Sequence, residues 1–320
     1  MQSSGFYSSR RTRILLILDI AESFSMRTAI KLGTKWTIFT AGLLVIGFFI
    51  FGESRATVDP NGKPFSSIQN KLIADGFDPI KIKRLYDQPH VFFEADGVTL
   101  LFTYREARVD YAQFTNNWSI DKARHYMQKY EAELARIEEQ YRVDKGVITA
   151  ILLVETGLGA SLGTRSTLNT LSTMAALMDP AVRDMLWDLI PDSKKISRKK
   201  FEKRAVARSK WAYKELKAFL TYTDREGFDP TTIPGSFAGA VGVAQFMPTS
   251  ILAYGKDGDD DGMVDMLNHT DAMASVANYL KSHGWRQGQD RKKAEQIIHY
   301  YNHSTYYVNT ILKIANLLKT

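Results

Sequence analysis

The segment VDKGVITAILLVETGLG, residues 143–159, sets one carboxylate into an otherwise apolar helical pattern. Asp144 suits the N-cap, and Gly157 and Gly159 suit the stop, because glycine turns left-handed at no steric cost. Ile148, Ile151, Leu152 and Glu155 fall at i, i+3, i+4 and i+7, so the glutamate continues the stripe that a helix buries. Two readings of Glu155 follow: it reaches solvent where the helix ends, or it is held dry. Held dry, it feels desolvation and the negative end of the helix dipole, and both raise its pKa. A proton donor to a leaving-group oxygen near neutral pH needs such a shift.

Glycoside cleavage usually takes two carboxylates flanking the bond. The sequence places no second acid beside Glu155. A single carboxyl suffices when a sugar's own 2-acetamido group attacks its anomeric carbon, and the substrate class is then N-acetylated sugars.

GSFAGAVGVAQFMPTS, residues 235–250, is punctuated by Gly235, Gly239, Gly242 and Pro248 and carries one amide, Gln245, among small apolar residues. It reads as a tight loop leading into a short buried helix, where glycine permits close approach of a backbone or ligand. Gln245 then either meets a ligand or satisfies a neighbouring carbonyl in a packed turn.

Around these segments the pattern is mainly helical. Residues 66–86 predict one helix ending near Gly76 and another starting at Asp78 with Pro79 in its first turn. The letters GFDP recur at 227–230, where the same stop and restart is expected. From Ser119, apolar residues at Ile120, Ala123, Tyr126, Met127, Tyr130 and Leu134 keep helical spacing, and further helices are expected at 211–222, 271–283 and 304–319, the last two begun by Asp271 and Ser304. Residues 90–104 admit either a hairpin about Ala95–Gly97 or a helix.

The chain has 320 residues, 44% of them hydrophobic, enough for one large or two modest cores. It has no cysteine, which excludes disulfides, thiolate metal sites and thiol nucleophiles. Residues 36–51 are 16 uncharged residues behind Lys31 and Lys35, with four arginines further upstream, which reads as a retained membrane anchor or a cleaved export signal. Either puts the bulk of the chain outside the cytoplasm. Pro60, Gly62 and Pro64 mark a linker. The expected organisation is therefore a tail and anchor or signal over 1–56, a linker and N-terminal helical subdomain over 57–118, and a catalytic domain over 119–320. Residues 1–56 hold seven Lys or Arg against three Asp or Glu, so +4 of the formal +7 lies there and only +3 remains. That balance, together with the export signal, argues against nucleic acid. Residues 193–210 still carry nine basic residues and one acid, a solvated face or a contact for an anionic polymer or membrane surface.

DGDDDGMVDMLN, residues 257–268, follows EF-hand spacing: Asp257, Asp259 and Asp261 at positions 1, 3 and 5, Gly262 at 6, the Met263 carbonyl at 7 and Asp265 at 9. Position 12 is Asn268 instead of a bidentate glutamate, so the reading is a weakened structural Ca2+ site or a solvated acidic turn.

ILLVETGLG, GSFAGAVGVAQFMPTS, DGDDDGMVDMLNHTDAMASVANYLKSHGW and YYNHSTYYVNTIL, in this order, resemble the membrane-bound lytic murein transglycosylase B family. The resemblance implies a lysozyme-like helical domain with an N-terminal helical extension. It implies cleavage of peptidoglycan between N-acetylmuramic acid (MurNAc) and N-acetylglucosamine (GlcNAc), with 1,6-anhydromuramoyl ends. Glu155 matches the family's catalytic acid and base; no cofactor is needed for the chemistry. Gln245, Phe246 and Met247 match the cleft lining, Thr173 a substrate-side threonine, and Tyr301 and Asn302 a pair beside the acid that helps hold substrate. The family also carries a calcium loop at 257–268. Leu158 departs from it, standing where an aromatic residue is usual. The implied place is the periplasmic face of the inner membrane. A hydrolytic muramidase and a non-catalytic peptidoglycan-binding scaffold are the alternatives.

Overall fold

The computed structural model describes residues 64–103 and 110–319. The anchor or signal expected over 1–56 lies outside the described residues. Among the described residues no helix is long and apolar enough to cross a membrane.

The fold is built around α6 (Lys145–Thr156), buried at every position from Gly146 to Thr156. A helix apolar on all sides needs cover on all sides. That cover comes from α4 (Asn117–Lys129), α5 (Glu131–Tyr141), α11 (His269–Ser282) and α13 (Thr305–Leu317). The stretch from Ser119 divides at Tyr130, whose ring packs on Tyr126 at 4.7 Å and His269 at 5.2 Å, so the chain turns to seat it. Asp144 takes the N-cap position of α6 without a side-chain cap bond; its carboxylate accepts from Trp285 Nε1 at 3.3 Å instead. Gly157, Leu158 and Gly159 are all left-handed, with φ of 59°, 63° and 83°, and end α6 abruptly.

A second layer pairs α7 (Thr167–Ala176) with the 29-residue α9 (Arg198–Glu226), flanked by α8 (Pro180–Leu189). The N-terminal helices α1 (Ser66–Ala74), α2 (Pro79–Tyr86) and α3 (Ala95–Thr103) close over this pair. Asp78 caps α2 through the amides of Ile80 and Lys81, as its sequence predicts. Residues 95–103 form α3 and not a hairpin. The Glu94 carboxylate accepts from the Gly97 amide at 3.1 Å and pairs with Arg165, which caps a helix and leaves the segment no partner strand. The second GFDP stops α9 at Gly227 (φ 74°), but no helix restarts: Asp229 accepts from the Thr231 amide and turns the chain toward a short ladder. There β1 (Arg165–Ser166) runs antiparallel to β2 (Pro234–Gly235).

The remaining helices are α10 (Pro248–Tyr254) and α12 (Arg291–Tyr301). Helix α11 starts at His269 with Asn268 as its cap, two residues before the Asp271 start read from sequence, and Ser304 caps α13 as expected.

Candidate active site

Glu155 lies in the last turn of α6, 1% exposed. Burial raises its pKa to about 7, and one hydrogen bond opposes the rise: Tyr307 Oη donates to Oε1 at 2.7 Å. Its other oxygen, Oε2, is buried and has no hydrogen-bond partner. Buried carboxylate oxygens are seldom left so.

Residues 235–247 fold back over the end of α6. Val241 bridges to both Gly235 and Phe246, and a Cβ at Gly242 would collide with the Met266 carbonyl, so glycine is obligatory there. Thr156, next to the acid, ties the loop down: its hydroxyl donates to the Val243 carbonyl at 2.8 Å and accepts from the Gly159 amide at 2.9 Å. Gln245 is held left-handed at φ 49°, a cost for a residue with a Cβ. Its Nε2 donates to the Gly242 carbonyl at 2.9 Å, and its Oε1 is the second buried acceptor of this region without a partner.

Tyr301 closes the arrangement from the other side. Its hydroxyl donates to the Ala244 carbonyl at 2.5 Å, and its ring stacks on Tyr307 with planes 9° apart and centroids 6.3 Å apart. Glu155, Tyr307, Tyr301, the 243–245 loop and Thr156 thus form one continuous ring of contacts. Phe246 is buried edge-on to Tyr279 at 5.8 Å, and Met247 occupies the cap position of α10. Asn302 ends α12 and accepts from the Ser304 amide at 3.0 Å, which orients the start of α13 and hence Tyr307. Thr173 is fully buried and its hydroxyl accepts from the Glu94 amide at 2.8 Å, so the structure engages it in joining α7 to the N-terminal helices. Leu158 turns inward, 8% exposed, and presents no ring to a sugar.

Tyr307, the hydrogen-bond partner of Glu155, is the residue that the sequence reading missed. Its signal is present: Tyr307, Ile311 and Ile314 are the inward stripe of α13, and a tyrosine on such a stripe needs a polar partner for its hydroxyl.

The acidic loop also differs from the expected ligand set. Asp257, Asp259 and Asp271 bring carboxylate oxygens within 4.8 Å of one another. Asn268 does not take the closing position: its Oδ1 caps α11 through the Thr270 amide and its Nδ2 donates to Asp259 at 2.6 Å. Asp261 accepts from the Met263 amide and Asp265 from the Leu267 amide, both within the turn. Asp271 supplies the third carboxylate because the amides of Gly258 and Asp265 hold it from below, at 2.7 and 2.6 Å. Burial, with Asp259 and Asp257 adding to it, raises its pKa to about 6. One oxygen of Asp257, Oδ1, is buried without a partner, so the residues fit a hard cation.

Comparison with known proteins places this geometry. Residues 63–296 match the family model described as transglycosylase SLT domain. The membrane-bound lytic murein transglycosylase B of Escherichia coli (strain K12) is 32% identical over 163 residues, which are 51% of this chain and 38% of that protein. The match therefore spans well under half of that relative's length. Two solved structures share the fold at low identity. SltB3 from Pseudomonas aeruginosa, in complex with NAG-anhNAM-pentapeptide, superposes with a TM-score of 0.64 at 20% identity, over 80% of this chain and 78% of that one. The Escherichia coli lytic transglycosylase Slt35, in complex with calcium, gives 0.61 at 21% identity, over 81% and 93%. The chain belongs to the transglycosylase SLT domain family, as a relative of lytic murein transglycosylase B.

Proposed function

We propose that this chain is a lytic transglycosylase that cleaves the MurNAc–GlcNAc β-1,4 bond of peptidoglycan and leaves 1,6-anhydromuramoyl ends. The observation that carries the proposal is the state of Glu155: dry, with a pKa of about 7, one oxygen held and the other free. Because Tyr307 donates to Oε1, the proton of the neutral acid sits on Oε2, the oxygen without a protein partner. Glu155 gives that proton to the glycosidic oxygen, and the bond to the muramoyl anomeric carbon breaks as the 2-acetamido oxygen attacks it. The resulting carboxylate takes the proton of the muramoyl 6-hydroxyl, whose oxygen closes on the anomeric carbon and expels the acetamido oxygen. GlcNAc leaves with a free 4-hydroxyl, and Glu155 ends protonated, as it began.

Gln245, whose Oε1 lacks a partner, binds a sugar N–H or hydroxyl. Phe246, Met247, Tyr301 and Asn302 hold the loop and the acid in register, and Thr173 supports the wall behind them. Asp257, Asp259 and Asp271 would hold a structural Ca2+, with the Met263 carbonyl nearby in sequence; the ion would offset two of their three negative charges and play no part in the chemistry. The calcium of Slt35 and the anhydro-sugar ligand of SltB3 support both readings by analogy. Residues 36–51 anchor the chain in the inner membrane, with the catalytic domain in the periplasm.

Mass spectrometry of peptidoglycan digested by the purified protein tests the proposal. Anhydromuramoyl ends are expected. Reducing ends would make the protein a hydrolytic muramidase, and intact sacculi would make it a binding scaffold.

A further inference from the structure

The basic run at 193–210 is not used by the active site, and the structure organises it. Lys199, Lys203, Lys210 and Lys214 are all exposed on α9, and none makes an ion pair among the described residues. At 100° per residue these positions fall within a sector of about 60° and span about 22 Å along the helix. No acid interrupts the row. Three carboxylates of α8 and α9 pair with other residues: Glu202 with Arg183 and Arg198, Asp184 with Arg198, and Asp224 with Lys81.

The row runs toward the C-terminal end of α1, the first helix of the fold. Lys217, one turn beyond Lys214, pairs with Asp75 at 2.7 Å; Tyr213 donates to the same carboxylate at 3.0 Å, and Lys71 lies 4.7 Å over the Tyr213 ring. Helix α1 and the residue that follows it are thus clamped to α9 at the end of the lysine row. Twelve residues, 52–63, separate the apolar run from the first described residue, a reach of at most about 43 Å. A fold of this size has a radius of gyration of roughly 18 Å, so that tether keeps the domain within about one diameter of the bilayer.

We infer that Lys199, Lys203, Lys210 and Lys214 form a docking face for the acidic headgroups of the membrane in which the chain is anchored. The inference rests on the anchor reading of residues 36–51. Acidic phospholipid presents a continuous negative plane, which matches a straight 22 Å row better than the scattered carboxylates of a wall peptide do. Each lysine near such a plane strengthens binding about fivefold, and salt screens the effect.

The test uses the full chain with vesicles of phosphatidylcholine alone or mixed with phosphatidylglycerol. Vesicle partition is measured, and each lysine is followed by its rate of modification with a water-soluble acylating reagent. The four lysines are expected to react several-fold more slowly only with phosphatidylglycerol, and to recover in high salt. The quadruple Lys→Gln variant is expected to retain activity on soluble glycan fragments and to lose the phosphatidylglycerol preference, about fivefold per lysine. Equal labelling in both vesicle types, with the chain bound to both, overturns the docking face and leaves the anchor intact. A chain that partitions into neither overturns both. Protection by peptidoglycan fragments, and not by lipid, assigns the row to the wall and overturns the inference.

Discussion

Tyr307 and Glu155 stand 152 residues apart in the chain and 2.7 Å apart in space, hydroxyl to carboxylate. The bond favours the charged form of the acid while burial favours the neutral one, and burial prevails, leaving the group balanced near neutrality.

Replacement of Glu155 by Gln is expected to lower murein cleavage by at least about a hundredfold, the usual worth of a positioned acid. The same variant reports on linkage. The folded acid keeps its proton from the ordinary 4.5 up to about 7, so the wild type is most stable below that window and loses up to about 3 kcal/mol as pH rises through it. Thermal melts should show E155Q gaining on the wild type between those values; parallel curves would mean that the carboxylate is not desolvated.

Replacement of Tyr307 by Phe removes the one interaction that favours the carboxylate. The alkaline limb of the pH–rate profile should move upward, with slower turnover because the proton is no longer confined to Oε2. A profile that falls in height without shifting would reduce Tyr307 to a packing role.

Gln245→Gly separates strain from function. Relief of the left-handed backbone returns about 1 kcal/mol, which offsets the loss of two weak side-chain bonds. The melting temperature should change little while KM rises about tenfold or more, the cost of one unmade substrate bond. An unchanged KM would remove Gln245 from the substrate contacts.

Millimolar calcium should raise the melting temperature of the wild type and leave that of Asp271→Asn unmoved, because the mutation deletes one of three clustered charges. Asn268→Ala should keep the calcium response at a lower starting stability, since it removes a helix cap and a hydrogen bond to Asp259 but none of the three carboxylates. If the two variants behave alike, the closing ligand has been misassigned.

Much of this was legible in the sequence where local rules govern. The spacing of Ile148, Ile151 and Leu152 set Glu155 on the apolar stripe, with burial one of the two readings it allowed, and Gly76 and Asp78 marked the α1–α2 turn. What the sequence left open is settled where a distant partner decides. Residues 95–103 had strand-like runs, but Arg165 supplies Glu94 with an ion pair and the segment caps as a helix. Asn268 sits at the EF-hand's twelfth position, yet Asp271 enters from the next helix because Gly258 and Asp265 offer it amides. Tyr307 carried a stripe signal, but nothing local says that its hydroxyl meets Glu155 and not water. The left-handed turn at Gln245 was likewise invisible, since it is imposed by the bridge between Val241 and Phe246.

The ring that joins α6 to α13 has a consequence for the timing of biosynthesis. A ribosome finishes Glu155 long before it reaches Tyr307, and until the later helix docks, the acid lacks the group that assigns its proton to one oxygen. The pairing that fixes the proton on one oxygen is thus acquired late, with the docking of α13 on α6.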